Sequence, residues 1–203
     1  AQYKSELAFV DVATGERKDL TKNEAPESGV RWSPDGTTIS FTAPNDKTWE
    51  LSEGWLYLIP ATGGTPTRVP NSSRVGNYRW AADGKSIYYS TTQKARGGVF
   101  QIEIPSGKVR TIASGDWAGG VESYTKDFKR GAGVISSPTS PGDIYLVDLA
   151  TGGRTRLTSA NPQVDDLLLA ECRPIKWKSR DGLEIEGLLW LPADYKPGTK
   201  LPL

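Results

Sequence analysis

The 203 residues carry 25 basic and 24 acidic side chains, a formal net charge of +1, and no basic run longer than a pair, so the electrostatic footprint of a nucleic-acid binder is missing. Apolar runs such as Leu188–Leu191 fall far short of the roughly 18–20 residues of a membrane-spanning helix, and no membrane span is expected. Histidine is absent and Cys172 is the one cysteine, which excludes a self-contained Ser-His-Asp or Cys-His triad, a His-ligated or Cys-rich metal site and an internal disulfide, and leaves no cofactor expected.

Methionine is also absent, so Ala1 is expected to follow processing, proteolysis or truncation, and no signal-peptide pattern opens the chain. The 22 glycines and 14 prolines exceed the roughly 12% of average usage and predict many turns between short strands. The first predicted element is a hairpin over Phe9–Thr21 (FVDVATGERKDLT), turning at Gly15.

Residues 29–70 follow as a complete unit of four strands, Gly29–Trp32, Thr38–Ala43, Trp55–Ile59 and Pro66–Val69. Asp35-Gly36 and Gly63-Gly64 supply the positive φ of tight hairpin turns, and Pro34 keeps Ser33 extended. Ile39, Phe41 and Ala43 alternate with Ser40 and Thr42, as strand geometry requires.

Two further units repeat this pattern over 76–113 and 120–158. The turn glycines Gly15, Gly63, Gly107 and Gly152 are spaced 48, 44 and 45 residues apart. An interleaved motif, VRWSPDGTTISF at Val30–Phe41, returns as YRWAADGKSIYY at Tyr78–Tyr89 and, degenerate, around Asp127; the step between its aspartates Asp35, Asp83 and Asp127 is again 48 and then 44. Four short strands per 40–50 residues is the signature of a propeller blade. A β-sandwich is the alternative, but it gives no reason for two motifs to share one period. Three blades plus two outer strands of another form an arc with open edges, so the fold class is an all-β, partial β-propeller of four-stranded antiparallel blades. Trp32 and Trp80 are expected in equivalent core positions, and the repeated aspartates in turns.

The repeat stops after Thr158. Ile175–Lys178 and Leu183–Leu191 alternate as a hairpin around Asp181-Gly182, and Pro192–Pro202 is a loop leading toward an apolar strand. Trp177, Ser179, Asp181, Gly182, Ile185, Gly187, Leu189 and Pro192 resemble the strand pair that joins propeller to catalytic domain in serine peptidases of the prolyl oligopeptidase family. The WSPDG at 32–36 resembles the blade motif of its acylaminoacyl-peptidase and dipeptidyl-peptidase branches. The resemblance implies that 1–170 are later propeller blades and that 171–203 are the junction and first strands of an α/β-hydrolase domain. The family's nucleophile lies in a G-x-S-x-G elbow; no such motif occurs, and no catalytic residue is assigned.

A four-stranded meander gathers its longer links on one end, here Lys22–Ser28, Pro44–Gly54, Asn71–Asn77, Thr92–Gly98, Ala113–Gly119 and Pro138–Gly142, and recognition usually resides on such loops. Trp49, Glu50, Glu53, Arg74, Arg96, Asp116 and Trp117 are the substrate-filter candidates, against simple surface decoration. The expected function, implied by the resemblance, is a non-catalytic segment that caps the active site of a serine exopeptidase or oligopeptidase and filters short peptides. Its expected partners are those peptides and the remaining blades and hydrolase domain of the same protein. A stand-alone interaction propeller and an esterase remain as alternatives, and the compartment, cytoplasmic or periplasmic, is left open. The apolar side chains of Leu183–Leu191 are expected to need a cover.

Overall fold

A computed structural model describes residues 5–22, 25–44 and 52–199. A hairpin of β1 (Ala8–Val10) and β2 (Arg17–Asp19) comes first. One four-stranded meander follows from β3 (Ser28–Trp32), β4 (Thr38–Pro44), β5 (Gly54–Pro60) and β6 (Thr67–Ser73), and a second from β7 (Tyr78–Trp80), β8 (Ser86–Gln93), β9 (Arg96–Glu103) and β10 (Val109–Gly115). In the third sheet the inner strand is split into β11 (Ala118–Gly119) and β12 (Ser123–Tyr124), both paired to β13 (Arg130–Ser137), with β14 (Ser140–Asp148) and β15 (Arg154–Arg156) outside. A 3₁₀ turn at Pro162–Asp166 then leads to the hairpin β16 (Glu171–Lys178) and β17 (Glu184–Leu191). All pairs are antiparallel, and no α-helix occurs among the described residues. The three meanders span 28–73, 78–115 and 118–156, against 29–70, 76–113 and 120–158 expected from the repeat.

The core lies between blades. Ile39, Phe41, Ala43 and Ile59 of the first full blade face Leu7 and Phe9 of the opening hairpin. Leu56 and Val69, on the opposite face of that blade, pack on Tyr78, Ile87, Tyr89, Phe100 and Ile102 of the next. Tyr88, Val99 and Ile112 pack in turn on Val121, Ile135 and Val147. A central blade is therefore buried on both faces, and β8 and β9 carry apolar residues at consecutive positions (Ile87–Tyr89, Val99–Phe100) because both faces are covered.

Ser40, fully buried, is the polar node of the first full interface: it accepts from Tyr78 Oη at 2.9 Å and Trp80 Nε1 at 2.8 Å. Trp32 and Trp80 hold equivalent register positions, opposite Ile39 and Ile87. Their environments differ: Trp80 is 8% exposed, whereas Trp32 is 51% exposed and meets Phe9 at 5.3 Å. The expectation that Trp32 is core is corrected. Trp80 lies against a complete second strand, β4, and Trp32 faces a two-stranded hairpin.

Candidate functional site

The meander turns separate into two ends as predicted. At one end the acidic turns repeat a single chemistry. Asp35 accepts from Ser33 Oγ at 2.6 Å and Thr37 N at 3.1 Å and Asp127 from Thr125 Oγ1 at 2.7 Å and Lys129 N at 3.1 Å; in the separate β16–β17 turn Asp181 likewise accepts from Ser179 Oγ and Leu183 N. In each, the hydroxyl two residues earlier is the main influence holding the carboxyl below the usual carboxylate range. These aspartates are turn formers. The third copy replaces glycine with Phe128 at φ 50°, held there by stacking on Tyr88 and Tyr124 at 5.4 Å each.

The opposite end carries the filter candidates. Two of its expected long links are corrected: β8 and β9 pair out to Gln93–Arg96 and β13 and β14 out to Ser137–Ser140, leaving two-residue turns. Lys94 takes the left-handed conformation, φ 54°, that the first turn demands. Trp49 and Glu50 lie outside the described residues. Glu53 and Arg74 form an ion pair at 2.6 Å, and Arg96 and Asp116 another at 3.1 Å. The second pair ties the β8–β9 turn to the link between the second and third full blades.

Trp117 follows directly and is only 6% exposed. It has no room unless its neighbours are glycine: a Cβ on Gly97 would come within 2.3 Å of the Trp117 carbonyl and 2.7 Å of its ring, and one on Gly115 within 2.9 Å of the indole. Arg154 lies over the ring at 5.1 Å. The indole Nε1 is buried and has no acceptor among the described residues. Beside it opens a cleft of about 380 Å³ lined by Ala95, Asp116, Trp117, Pro138, Cys172 and Leu188. An adjoining hollow of about 570 Å³ includes Arg96, Phe100, Pro174 and Glu186. The cleft is mostly apolar, with Lys94, Asp116 and the hydroxyls of Thr92, Ser136 and Ser137 at its edge, and the hollow is of mixed character, with Lys94, Arg96, Lys176 and Glu186 in its lining.

The far wall is the β16–β17 hairpin. Paired residues share a face, so Cys172, Pro174, Lys176, Glu184, Glu186, Leu188 and Trp190 are on one side and Ile175, Trp177, Ile185, Gly187 and Leu189 on the other. The first side lies on the blade turns, where Ala95 N donates to Glu186 Oε1 at 3.1 Å and Lys94 Nζ pairs with Glu184 at 3.5 Å. On the second side the Trp177 ring lies over Gly187, where a Cβ would approach within 3.0 Å. Trp177 is 46% exposed. Apolar side chains of the hairpin stay exposed on both sides, Leu188 and Trp190 on the first and Ile175 and Trp177 on the second.

Sequence reading missed Lys94, Glu184 and Glu186. The cross-strand pair Lys176–Glu186 follows from the hairpin register, but contacts across 90 residues of sequence leave no local signal. It also missed Asp143, 3% exposed, which accepts from Thr158 Oγ1 at 2.8 Å and Ala160 N at 2.9 Å and pairs with Arg156 at 2.6 Å. The Ala160 amide is the main influence holding its carboxyl below the usual range. Asp143 fastens the segment leaving the last blade.

The fold and site define a run of four-stranded propeller blades followed by a two-stranded hairpin. No protein-family model matches the chain. Dipeptidyl-peptidase 5 of Porphyromonas gingivalis is 25% identical over 178 residues, covering 85% of this chain and 25% of that protein. The lasso peptide isopeptidase AtxE2 of Asticcacaulis excentricus is 22% identical over 203 residues, covering 96% of this chain and 29% of that protein. Its structure with Astexin3-dC4 bound matches 96% of this chain and 31% of its own at a TM-score of 0.64 and 19% identity. TolB from Acinetobacter baumannii matches 94% of this chain and 44% of its own, with a TM-score of 0.55 and 21% identity. The chain spans between a quarter and three tenths of the two peptidase relatives. The sequence is similar to that of these peptidases, and the fold is similar to that of the matching parts of AtxE2 and TolB.

Proposed function

We propose that residues 1–170 are later blades of a larger β-propeller and that 171–203 are the junction and opening strands of an α/β-hydrolase domain. The chain is then the non-catalytic segment of a serine exopeptidase or oligopeptidase, capping its active site and filtering short peptides. The observation that carries this reading is the seat of β16–β17 directly over the end of the blades where Arg96, Asp116 and Trp117 gather. A rigid ring narrows access there, folded chains are excluded by width, and a short peptide finds an apolar cleft with a polar rim. Trp49, Glu50, Glu53 and Arg74 belong to the same end by chain position. Without histidine the 203 residues have no general base for a triad, and alone they should neither hydrolyse peptides nor label with a fluorophosphonate. A second reading keeps the blades, whose fold TolB shares, as a stand-alone propeller that binds a protein partner without catalysis.

The test is fluorophosphonate labelling of the full-length encoded protein, with hydrolysis of peptides of graded length. A labelled serine outside residues 1–203, together with a length cut-off that relaxes in Trp117→Ala and Arg96→Ala, is the expected result. Labelling with an unchanged cut-off removes the filter. A folded protein that does not label removes the peptidase and leaves the interaction module.

A further inference from the structure

We propose that Glu186 and Glu184 form a clasp that fixes the β16–β17 hairpin on the β8–β9 turn, so that a charge-assisted contact, rather than apolar packing, sets the width of the cleft beside Trp117. The proposal does not rest on the peptidase reading.

Glu186 is a carboxylate whose side chain is only 10% exposed. Its partners are the Ala95 backbone N–H at 3.1 Å and Lys176 Nζ at 3.9 Å. A carboxylate withdrawn from water needs such donors to remain charged, and a charge-assisted bond to a backbone N–H is about twice as strong as a neutral one. Glu184 adds pairs to Lys94 at 3.5 Å and Lys176 at 3.1 Å. Lys176 thereby bridges both carboxylates, and two cations balance two anions. Lys94 sits in the left-handed turn position, which presents the next residue's N–H to the hairpin.

Apolar packing on the same face is thin. Leu188 stays 49% exposed and Trp190 52% exposed, so little area leaves water where the hairpin meets the blades. An isolated two-stranded hairpin is marginal in water, and the position of this one therefore depends on its polar contacts. Cys172 and Leu188 form one wall of the cleft, and Ala95 and Trp117 the other. Release of the clasp moves the first wall against the second, making Glu186 a positioning residue for whatever enters.

Hydrogen exchange of the full-length protein, read by mass spectrometry over residues 93–96 and 171–191, tests the clasp. Glu186→Gln keeps the shape and removes the charge, and is expected to speed exchange of the Ala95 amide and of the hairpin by about tenfold or more, with β4 and β5 unchanged. Leu188→Ala is expected to do less. Unchanged exchange in Glu186→Gln, or a larger effect of Leu188→Ala, overturns the proposal. Should Glu186→Gln fail to fold, the exposed pair Lys94→Gln with Glu184→Gln decides. It is expected to loosen the hairpin by a few-fold at low salt and not at about 1 M, where screening is complete within about 3 Å; no loosening at low salt overturns the clasp.

Discussion

Strands β8 and β17 are equal in length and opposite in fate, although β17 is the more apolar of the two. In β8, Ser86, Ile87, Tyr88 and Tyr89 are all buried, because a blade stands on each side. In β17 only Leu191 is buried, while Leu188 and Trp190 stay about half exposed. The β8 blade is clamped on two faces, and the hairpin is pinned on one by ionic contacts. Blade packing carries the stability of the molecule, and the hairpin is the place where movement requires least disruption.

Core truncation should show the largest contrast. Ile102, fully buried between two blades, should lose about 2–5 kcal/mol when changed to alanine, from lost burial and the cavity left. Leu188→Ala, half exposed, should change global stability by less than about 1 kcal/mol. Urea unfolding measures both, and similar losses would break the distinction between blade and hairpin.

The turn glycines sharpen the same comparison between blades. Gly152 (φ 75°) and Gly63 (φ 95°) both sit at positive φ, but a Cβ on Gly152 would come within 2.1 Å of the Ile112 carbonyl on the neighbouring blade, whereas the space at Gly63 is open. Gly63→Ala should then cost about 1–2 kcal/mol from the left-handed backbone alone. Gly152→Ala should add about 1–3 kcal/mol for the displaced carbonyl. Equal midpoints would mean that the blades are less tightly spaced than the contact at Ile112 implies.

A smaller effect is expected at the polar node. Ser40→Ala leaves the Tyr78 hydroxyl and Trp80 indole buried without their acceptor, a loss of about 1–3 kcal/mol. The same site has a pH signature. Burial pushes the Tyr78 phenol up to about 12, against which the Ser40 contact works weakly. A folded-state pKa above the unfolded value of about 10 favours the fold only while the phenol is protonated. That stabilisation is complete below about pH 10 and disappears as pH rises through about 12. Absorbance titration should show Tyr78 ionising together with unfolding, alongside Tyr89 and Tyr124, whose phenols burial also pushes up, and a Tyr78 that titrates freely near 10 would remove it from the core.

How much of this was legible in the sequence depends on distance along the chain. A blade is a meander of consecutive strands, so its turns, register and four-strand count come from residues a few positions apart: Asp35-Gly36 recurs as Asp83-Gly84, and Gly15, Gly63, Gly107 and Gly152 keep nearly one spacing. The period of the repeat made the blades readable, and the break after Thr158 set the closing hairpin apart from them. The candidates Arg96 and Asp116 were legible as members of one end, because meander topology alone sorts links from turns.

The sequence did not show their pairing, the burial of Trp117 or the exposure of Trp32. Those depend on which neighbour stands beside each blade: Trp80 finds Ser40 some 40 residues away, and Trp32 finds a two-stranded hairpin. Nor did it show that Glu186 reaches Ala95 across 91 residues, since nothing in either local sequence refers to the other. Local backbone chemistry fixed the strands and turns, and the tertiary arrangement, blade against blade and hairpin on blade turn, decided which polar groups came together.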